Sequence, residues 1–521
     1  MISFKKLALH LILVSACILA GCASDSTTQP KNIIPPTVEK TAQDLTADLT
    51  AQGFQVSRGY FRLYTQEDCD YSYATMNTCY GNNPASPYII FAVPPWPEEY
   101  QDPATTQTFG KMDPGYRGTF RLDPREALVI FGVMPPPAAY FGLQTYLFSR
   151  EGTFDTTSAA YQYIATNYPL MLSTYFTSVP ANQKRLQVFA SLSNSNNNVV
   201  FDRQSGASFS QERYFVISPD KIMDGTVRAS LGKLAVNASN IVSEPIPSTM
   251  RLGLGESADE FMSLMRYAMP ADENAAELWR SQLPLVVLRV RDTRKDRAVQ
   301  PYPPVVLDTR IAVNESQFTA SLASLVAEVS SRWGVPCTKA DCSDRATAFV
   351  DLQSPPFSLV GPDCTEIGMN CLGDTQDTTY HVSKDALSVS NGEVYAIAGT
   401  LATETGNATY TGLSVNDTIL KKGMANVNSM QLKNSALGYA GTVSNADKLY
   451  LYYFARDCST IQGLTGGNCV TITESMIPHC TVKGSPLCDY LKIVQRNYIK
   501  PGTVRAPDPL QTVSPITIKL R

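Results

Sequence analysis

TFRLDPREALVIFGVMPPPAAYFGLQTYLFSR, residues 119–150, decides the fold class. Residues 127–133 form an unbroken apolar run, the pattern of a strand buried on both faces rather than one that alternates toward solvent. Pro135, Pro136 and Pro137 then force a turn, and the aromatic-rich stretch 140–148 reads as a second buried strand. The expectation is two neighbouring strands, a β-hairpin. Asp123, Arg125 and Glu126 stand at the mouth of the first strand, where such charges serve either a reaction or a turn with its ion pair.

Moving toward the C-terminus, 185–192 alternates as a strand and 214–217 reads as another. Ser218-Pro219-Asp220 looks like a helix start, with Ser as cap and Pro in the first turn. Ile222, Val227, Leu231 and Leu234 give that helix a buried stripe, and Ile241 and Val242 resume extended chain, which completes a strand-helix-strand unit. No Gly-rich phosphate loop joins strand to helix, and Gly253-Leu254-Gly255-Glu256-Ser257 has its serine in the wrong place for a nucleophile elbow. A helix at 272–282, a strand at 285–290 and a helix from Asn314, boxed by Gln317 and stopped at Gly334, follow.

Toward the N-terminus, Val38, Ala42, Leu45 and Leu49 mark one face of a helix that begins near Thr37 and stops at Gly53. Residues 54–63 read as extended chain, and 69–103 as a long irregular region. Pro94-Pro95-Trp96-Pro97-Glu98-Glu99-Tyr100 is loop, because proline lacks the ladder donor. Trp96 and Tyr100 beside Glu98 and Glu99 fit either a sugar platform with an acid and a base or a cover whose aromatics plug the core. Residues 37–334 thus read as one mixed domain. Residues 335–380, with four cysteines and no periodicity, read as a stapled connector. Residues 381–521 read as a β-rich domain with strands near 393–401, 408–413, 448–455 and 512–520. The fold class expected is α+β.

The chain opens with Lys5 and Lys6, an apolar run from Leu7 to Leu19, and Leu19-Ala20-Gly21-Cys22. The run falls short of the roughly 20 residues a membrane-spanning helix needs and has the form of a secretory signal. Its end resembles the lipobox of bacterial lipoprotein precursors. That resemblance, confined to the first 22 residues, implies that residues 1–21 are a cleaved signal and that Cys22 carries a diacylglyceryl thioether and an acylated amino group. Three chains hold far more firmly than one. It also implies, from Ala23, residence at the outer membrane of the cell envelope. Residues 22–36, rich in Ser, Thr and Pro, read as a tether.

Cys17 belongs to the signal and Cys22 to the anchor, which leaves ten cysteines, an even number as disulfides in an exported chain require. The simplest pairing is sequential: Cys69 with Cys79, Cys337 with Cys342, Cys364 with Cys371, Cys458 with Cys469, and Cys480 with Cys488. Crossed pairing among Cys337, Cys342, Cys364 and Cys371, or nesting between Cys458 and Cys488, stays open. Acidic residues outnumber basic ones, 47 to 43, and no basic stripe marks a nucleic-acid face.

No metal site or cofactor is expected. Cys-x-x-Cys is absent, and His381 and His479 are the histidines left after maturation. Asp374 and Asp377 near His381, and Asp341, Asp344 and Asp363 as calcium ligands, are the weaker constellations. The expectation is a lipid-anchored envelope protein acting as a binding or structural module, its partners the bilayer through Cys22 and an envelope protein or glycan. The alternative is a hydrolase of glycan or ester using Glu98, Glu99, Asp123 and Glu126.

Overall fold

The computed structural model describes residues 32–81, 83, 86–339, 342–477 and 491–521. The signal, Cys22 and most of the tether, together with Asp341, His479, Cys480 and Cys488, lie outside them.

Eleven strands build the first sheet: β1 (Gln55–Leu63), β2 (Tyr88–Ala92), β3 (Glu126–Val133), β4 (Ala138–Glu151), β5 (Ser178–Val179), β6 (Asn182–Ser191), β7 (Asn196–Asn197), β8 (Glu212–Ser218), β9 (Ile241–Pro245), β10 (Glu260–Pro270) and β11 (Leu285–Arg291). Their order is β5-β6-β4-β10-β2-β1-β11-β3-β8-β9, with β7 on β4. The 119–150 stretch supplies both expected strands, but they are not a hairpin. Four strands separate β3 from β4. A tight hairpin turn needs positive φ, which three consecutive prolines cannot adopt. The chain instead crosses the end of the sheet, held where Met134 N–H donates to Gln211 O and Ala271 N–H donates to Pro137 O. Curling lets the two strands share one interior: Leu128 and Ile130 of β3 meet Phe141, Leu143 and Leu147 of β4 in a single cluster.

The alternate residues of β3, Ala127, Val129 and Phe131, face outward and are equally buried. Two helices cover them: α1 (Pro36–Ala51), on the Val38, Ala42, Leu45 and Leu49 face, and a helix at Lys221–Lys233 packing Met223, Val227 and Leu231. That second helix is the middle of the strand-helix-strand unit, since β8 and β9 pair in parallel. Its cap is Asp220, whose carboxylate accepts from Ile222 N–H at 3.0 Å, rather than Ser218. The ring of strands is nearly closed. Glu244 on the β9 edge reaches β4, where its carboxyl oxygen accepts from Thr145 N–H at 2.7 Å.

The second sheet has nine strands: β12 (Ala346–Asp351), β13 (Thr378–Ser383), β14 (Val394–Thr400), β15 (Tyr410–Asp417), β16 (Lys422–Asn428), β17 (Leu449–Ala455), β18 (Cys469–Thr471), β19 (Leu491–Tyr498) and β20 (Ile516–Lys519). The helix Thr319–Arg332 lays Leu322, Leu325, Val326 and Val329 on one face of it. A short 3-10 turn precedes that helix in place of the expected capping box, with the Asn314 side chain accepting from Ser316 N–H. Residues 335–380 contribute β12, which pairs with β13 and β20, and the helix Gly361–Ile367, which packs on β6. Residues 32–521 cluster as one compact α+β unit.

Among the described residues the sequential disulfides are formed: Cys69–Cys79, Cys337–Cys342, Cys364–Cys371 and Cys458–Cys469. The region 69–103 is less irregular than its prolines suggest. It overlaps the helix Gln66–Met76, opened by a capping box between Thr65 and Asp68, and contains the fully buried β2.

Candidate functional site

The carboxylates read as catalytic are brought together in part and then consumed. Arg289, in the middle of β11, is fully buried and donates through Nε to Glu126 at 2.6 Å and through Nη1 to Glu99 at 2.8 Å. Its other donors reach the carbonyls of Pro94 and Arg121. Glu99 also accepts from the N–H groups of Trp96 and Arg121, and Glu126 from that of Asp123. Burial pushes the Glu126 carboxyl up, against the pull of Arg289. Glu98 is exposed and pairs at 2.8 Å with Arg291, whose guanidinium holds it below its ordinary value. The Asp123 side chain accepts from Arg125 N–H, closing a turn. Trp96 is a plug beneath Arg289 and Arg291, whose guanidinium carbons sit 5.1 and 4.5 Å from its ring. None of these carboxylates is presented to a cleft as an acid and base pair.

His381 on β13 is buried between the hydroxyls of Thr512 and Ser514, and burial lowers its pKa. It bonds to neither Asp374 nor Asp377. Asp344 accepts from Thr338 and Lys339, which holds it at about 2, and Asp363 sits in the first turn of the helix Gly361–Ile367. Among the described residues no three His, Cys, Asp or Glu side chains cluster as metal ligands.

The side chains that do face open space lie where the two sheets meet, around a cavity of about 150 Å³. Strand alternation delivers them. On β19, Leu491 and Ile493 go to the core of the second sheet, while Lys492, Val494, Arg496 and Tyr498 line the cavity. On β13 the cavity side is Tyr380 and Val382. The first sheet supplies Tyr88 from β2 and Arg266 from β10, directly paired in register.

Two stapled loops complete the wall. The segment after Cys79 is bound to the second sheet, with Cys79 N–H donating to Leu420 O at 2.7 Å and Gly81 N–H to Lys421 O at 2.5 Å. Cys371, Leu372 and Gly373 follow the other bridge, with Cys371 N–H on Val188 O and Gly373 N–H on Phe189 O. Gly373 has φ +69°, and a Cβ there would sit 2.6 Å from the Phe189 ring, so the close approach of loop to sheet requires glycine.

Arg266 and Arg496 are 4% and 6% exposed, and neither has a carboxylate partner among the described residues. Arg266 donates to Tyr146 Oη at 2.6 Å and to Gly373 O at 3.0 Å, and lies over the rings of Tyr88 and Tyr146. Arg496 donates to Ser414 Oγ at 2.5 Å and to Gly81 O at 3.0 Å. Lys492 donates to the carbonyls of Ser383 and Lys384, and burial brings its pKa down to about 8. Lys421 is likewise lowered by burial. Asp374, pushed by burial up to about 6, accepts from Ser191, Gly361 and Gln376. Asp417 accepts from Ile419 and Leu420 N–H. The Tyr380 hydroxyl has no hydrogen-bond partner among the described residues.

The sequence reading found none of the cavity's cations. Two signals were there: Arg266 is a lone charge inside the apolar run FMSLMRYAM, and residues 491–498 alternate strictly enough to place Lys492 and Arg496 on one face.

No family model matches the chain, and no curated protein does. Two solved structures are similar: a protein of Vibrio parahaemolyticus, 10% identical, covering 93% of this chain and 96% of its own at a TM-score of 0.34, and an uncharacterized protein from Burkholderia cenocepacia, 11% identical, covering 93% and 95% at 0.34. At that level of superposition neither likeness bears on function.

Proposed function

We propose that the chain is a lipid-anchored protein of the bacterial envelope that binds a small anion in the cavity between its two sheets. The observation that carries the reading is the pair Arg266 and Arg496, buried without a carboxylate partner among the described residues. Taking a charge out of water costs several kcal/mol unless a partner repays it. The ring faces around Arg266 offset part of that, and an oxyanion ligand supplies the rest, since a guanidinium fork matches a carboxylate or phosphate bidentately. The envelope placement rests on the lipobox-like Leu19-Ala20-Gly21-Cys22 and agrees with four formed disulfides, which persist in oxidising surroundings. Among the described residues no helix is long and apolar enough to cross a membrane.

Two measurements test this. Mass spectrometry of the N-terminal peptide is expected to show residues 1–21 removed and Cys22 acylated. An intact Met1 would remove the envelope reading. Isothermal titration of the mature protein in detergent micelles against small anions is expected to give saturable binding that Arg266→Met and Arg496→Met each weaken about 10- to 100-fold. Binding unchanged in both variants would refute the site.

A further inference from the structure

Resting on that anion-site reading, the geometry points to a short aliphatic dicarboxylate as the ligand, each carboxylate taken by one guanidinium and the methylene chain lying among the tyrosines between them. Charge sets the first constraint. Four cations, Arg266, Arg496, Lys421 and Lys492, line the cavity against two carboxylates, Asp374 and Asp417, an excess of two positive charges for the ligand to balance. Both carboxylates are already held by protein donors, so they do not neutralise the guanidinium groups through contact.

The second constraint is the placement of the donors. Arg266 belongs to the first sheet and Arg496 to the second. Each uses one hydrogen on Nη1 and one on Nη2 for protein acceptors, which fixes the plane of the fork and leaves its remaining N–H groups for one oxyanion apiece. Both guanidinium groups also act on the buried phenol of Tyr380, whose pKa burial raises and the two cations pull back. The Tyr380 hydroxyl, without a hydrogen-bond partner among the described residues, lines the same cavity as both and adds a donor.

Size is the third constraint. A cavity of about 150 Å³ matches one that elsewhere takes a single benzene. It is sized to enclose a short dicarboxylate rather than a whole nucleotide or lipid. The Tyr88, Tyr498, Val382 and Val494 side chains give the cavity apolar wall, which suits methylenes between the charged ends.

The test is isothermal titration of the mature acylated protein in detergent micelles with succinate, acetate and inorganic phosphate. Succinate is expected to bind about 10- to 100-fold more tightly than acetate, the difference made by one charge-assisted pair. Tyr380→Phe is expected to weaken succinate about 5- to 10-fold, as loss of one hydrogen bond does. Arg266→Gln and Arg496→Gln are each expected to bring succinate down to the acetate level. Acetate binding as tightly as succinate, or phosphate binding more tightly than either, would overturn the dicarboxylate while leaving the anion site standing. No binding by any of the three would overturn both. If an arginine variant does not fold, the succinate to acetate ratio of the native protein and the Tyr380→Phe titration still decide.

Discussion

Arg289 and the pair Arg266 and Arg496 are buried to nearly the same degree, yet they solve opposite problems. Around Arg289 two carboxylates and two carbonyls take up the guanidinium from within the chain, engaging four of its five N–H donors. Around Arg266 and Arg496 the acceptors are neutral, and the charge is left to be met from outside. The first arrangement is a fastener between β11, β3 and the proline loop. The second is a site. A buried cation is informative only when its partners are counted.

The sharpest way to break this comparison is to remove each cation in turn. Arg289→Met leaves Glu99 and Glu126 buried without a positive partner and is expected to cost about 3 to 5 kcal/mol in denaturant unfolding. Arg266→Met strands no carboxylate, only the neutral acceptors Tyr146 Oη and Gly373 O, and is expected to cost about 1 to 2 kcal/mol while ligand binding weakens about 10- to 100-fold. Equal losses would mean that the cavity arginines are structural after all.

Glu244 shows a third way to bury a charge, by keeping the proton. It has no cation beside it, Oε2 lacks a partner, and burial pushes its carboxyl up to about 7. The fold then holds a proton that the unfolded chain releases near the ordinary value of 4.5. Stability from this group is complete below that value, falls as pH rises, and is gone above about 7, a change on the order of 3 kcal/mol. Glu244→Gln keeps the acceptor for Thr145 and is expected to flatten the stability profile over that window. An unchanged slope would show that Glu244 is ionised in the fold.

A smaller effect separates wall from core. Cys69→Ser with Cys79→Ser frees the loop that carries Gly81 to Arg496 and is expected to cost about 2 kcal/mol while weakening anion binding. Stability loss with native affinity would place the loop outside the site. Smallest of all, Glu98→Gln removes an exposed ion pair next to the fully engaged Glu99 and is expected to change stability by less than about 0.5 kcal/mol.

Much of the secondary structure was legible because it is written locally. The Val38, Ala42, Leu45 and Leu49 face, the apolar run of β3 and the four cysteine couples among the described residues are short-range patterns, and the structure contains each of them. Other elements were hidden for equally local reasons. The helix Gln66–Met76 buries Asp68, Cys69 and Ser72 rather than an apolar stripe, and β2 is only five residues between prolines. The candidate carboxylates were picked by proximity along the chain, whereas Arg289, which engages two of them, lies 190 residues from Glu99 and 163 from Glu126.

By itself the sequence determined an α+β chain with local cysteine couples and strands buried on both faces, because residue period and turn chemistry act over a few positions. Only the tertiary structure decided that β3 and β4 face each other across an interior instead of pairing, and that Arg266 and Arg496 line one cavity without a carboxylate partner among the described residues. A strand's alternation fixes which side chains share a face. Which distant strand lies opposite, and what charge it brings, follows from how two sheets curl and dock.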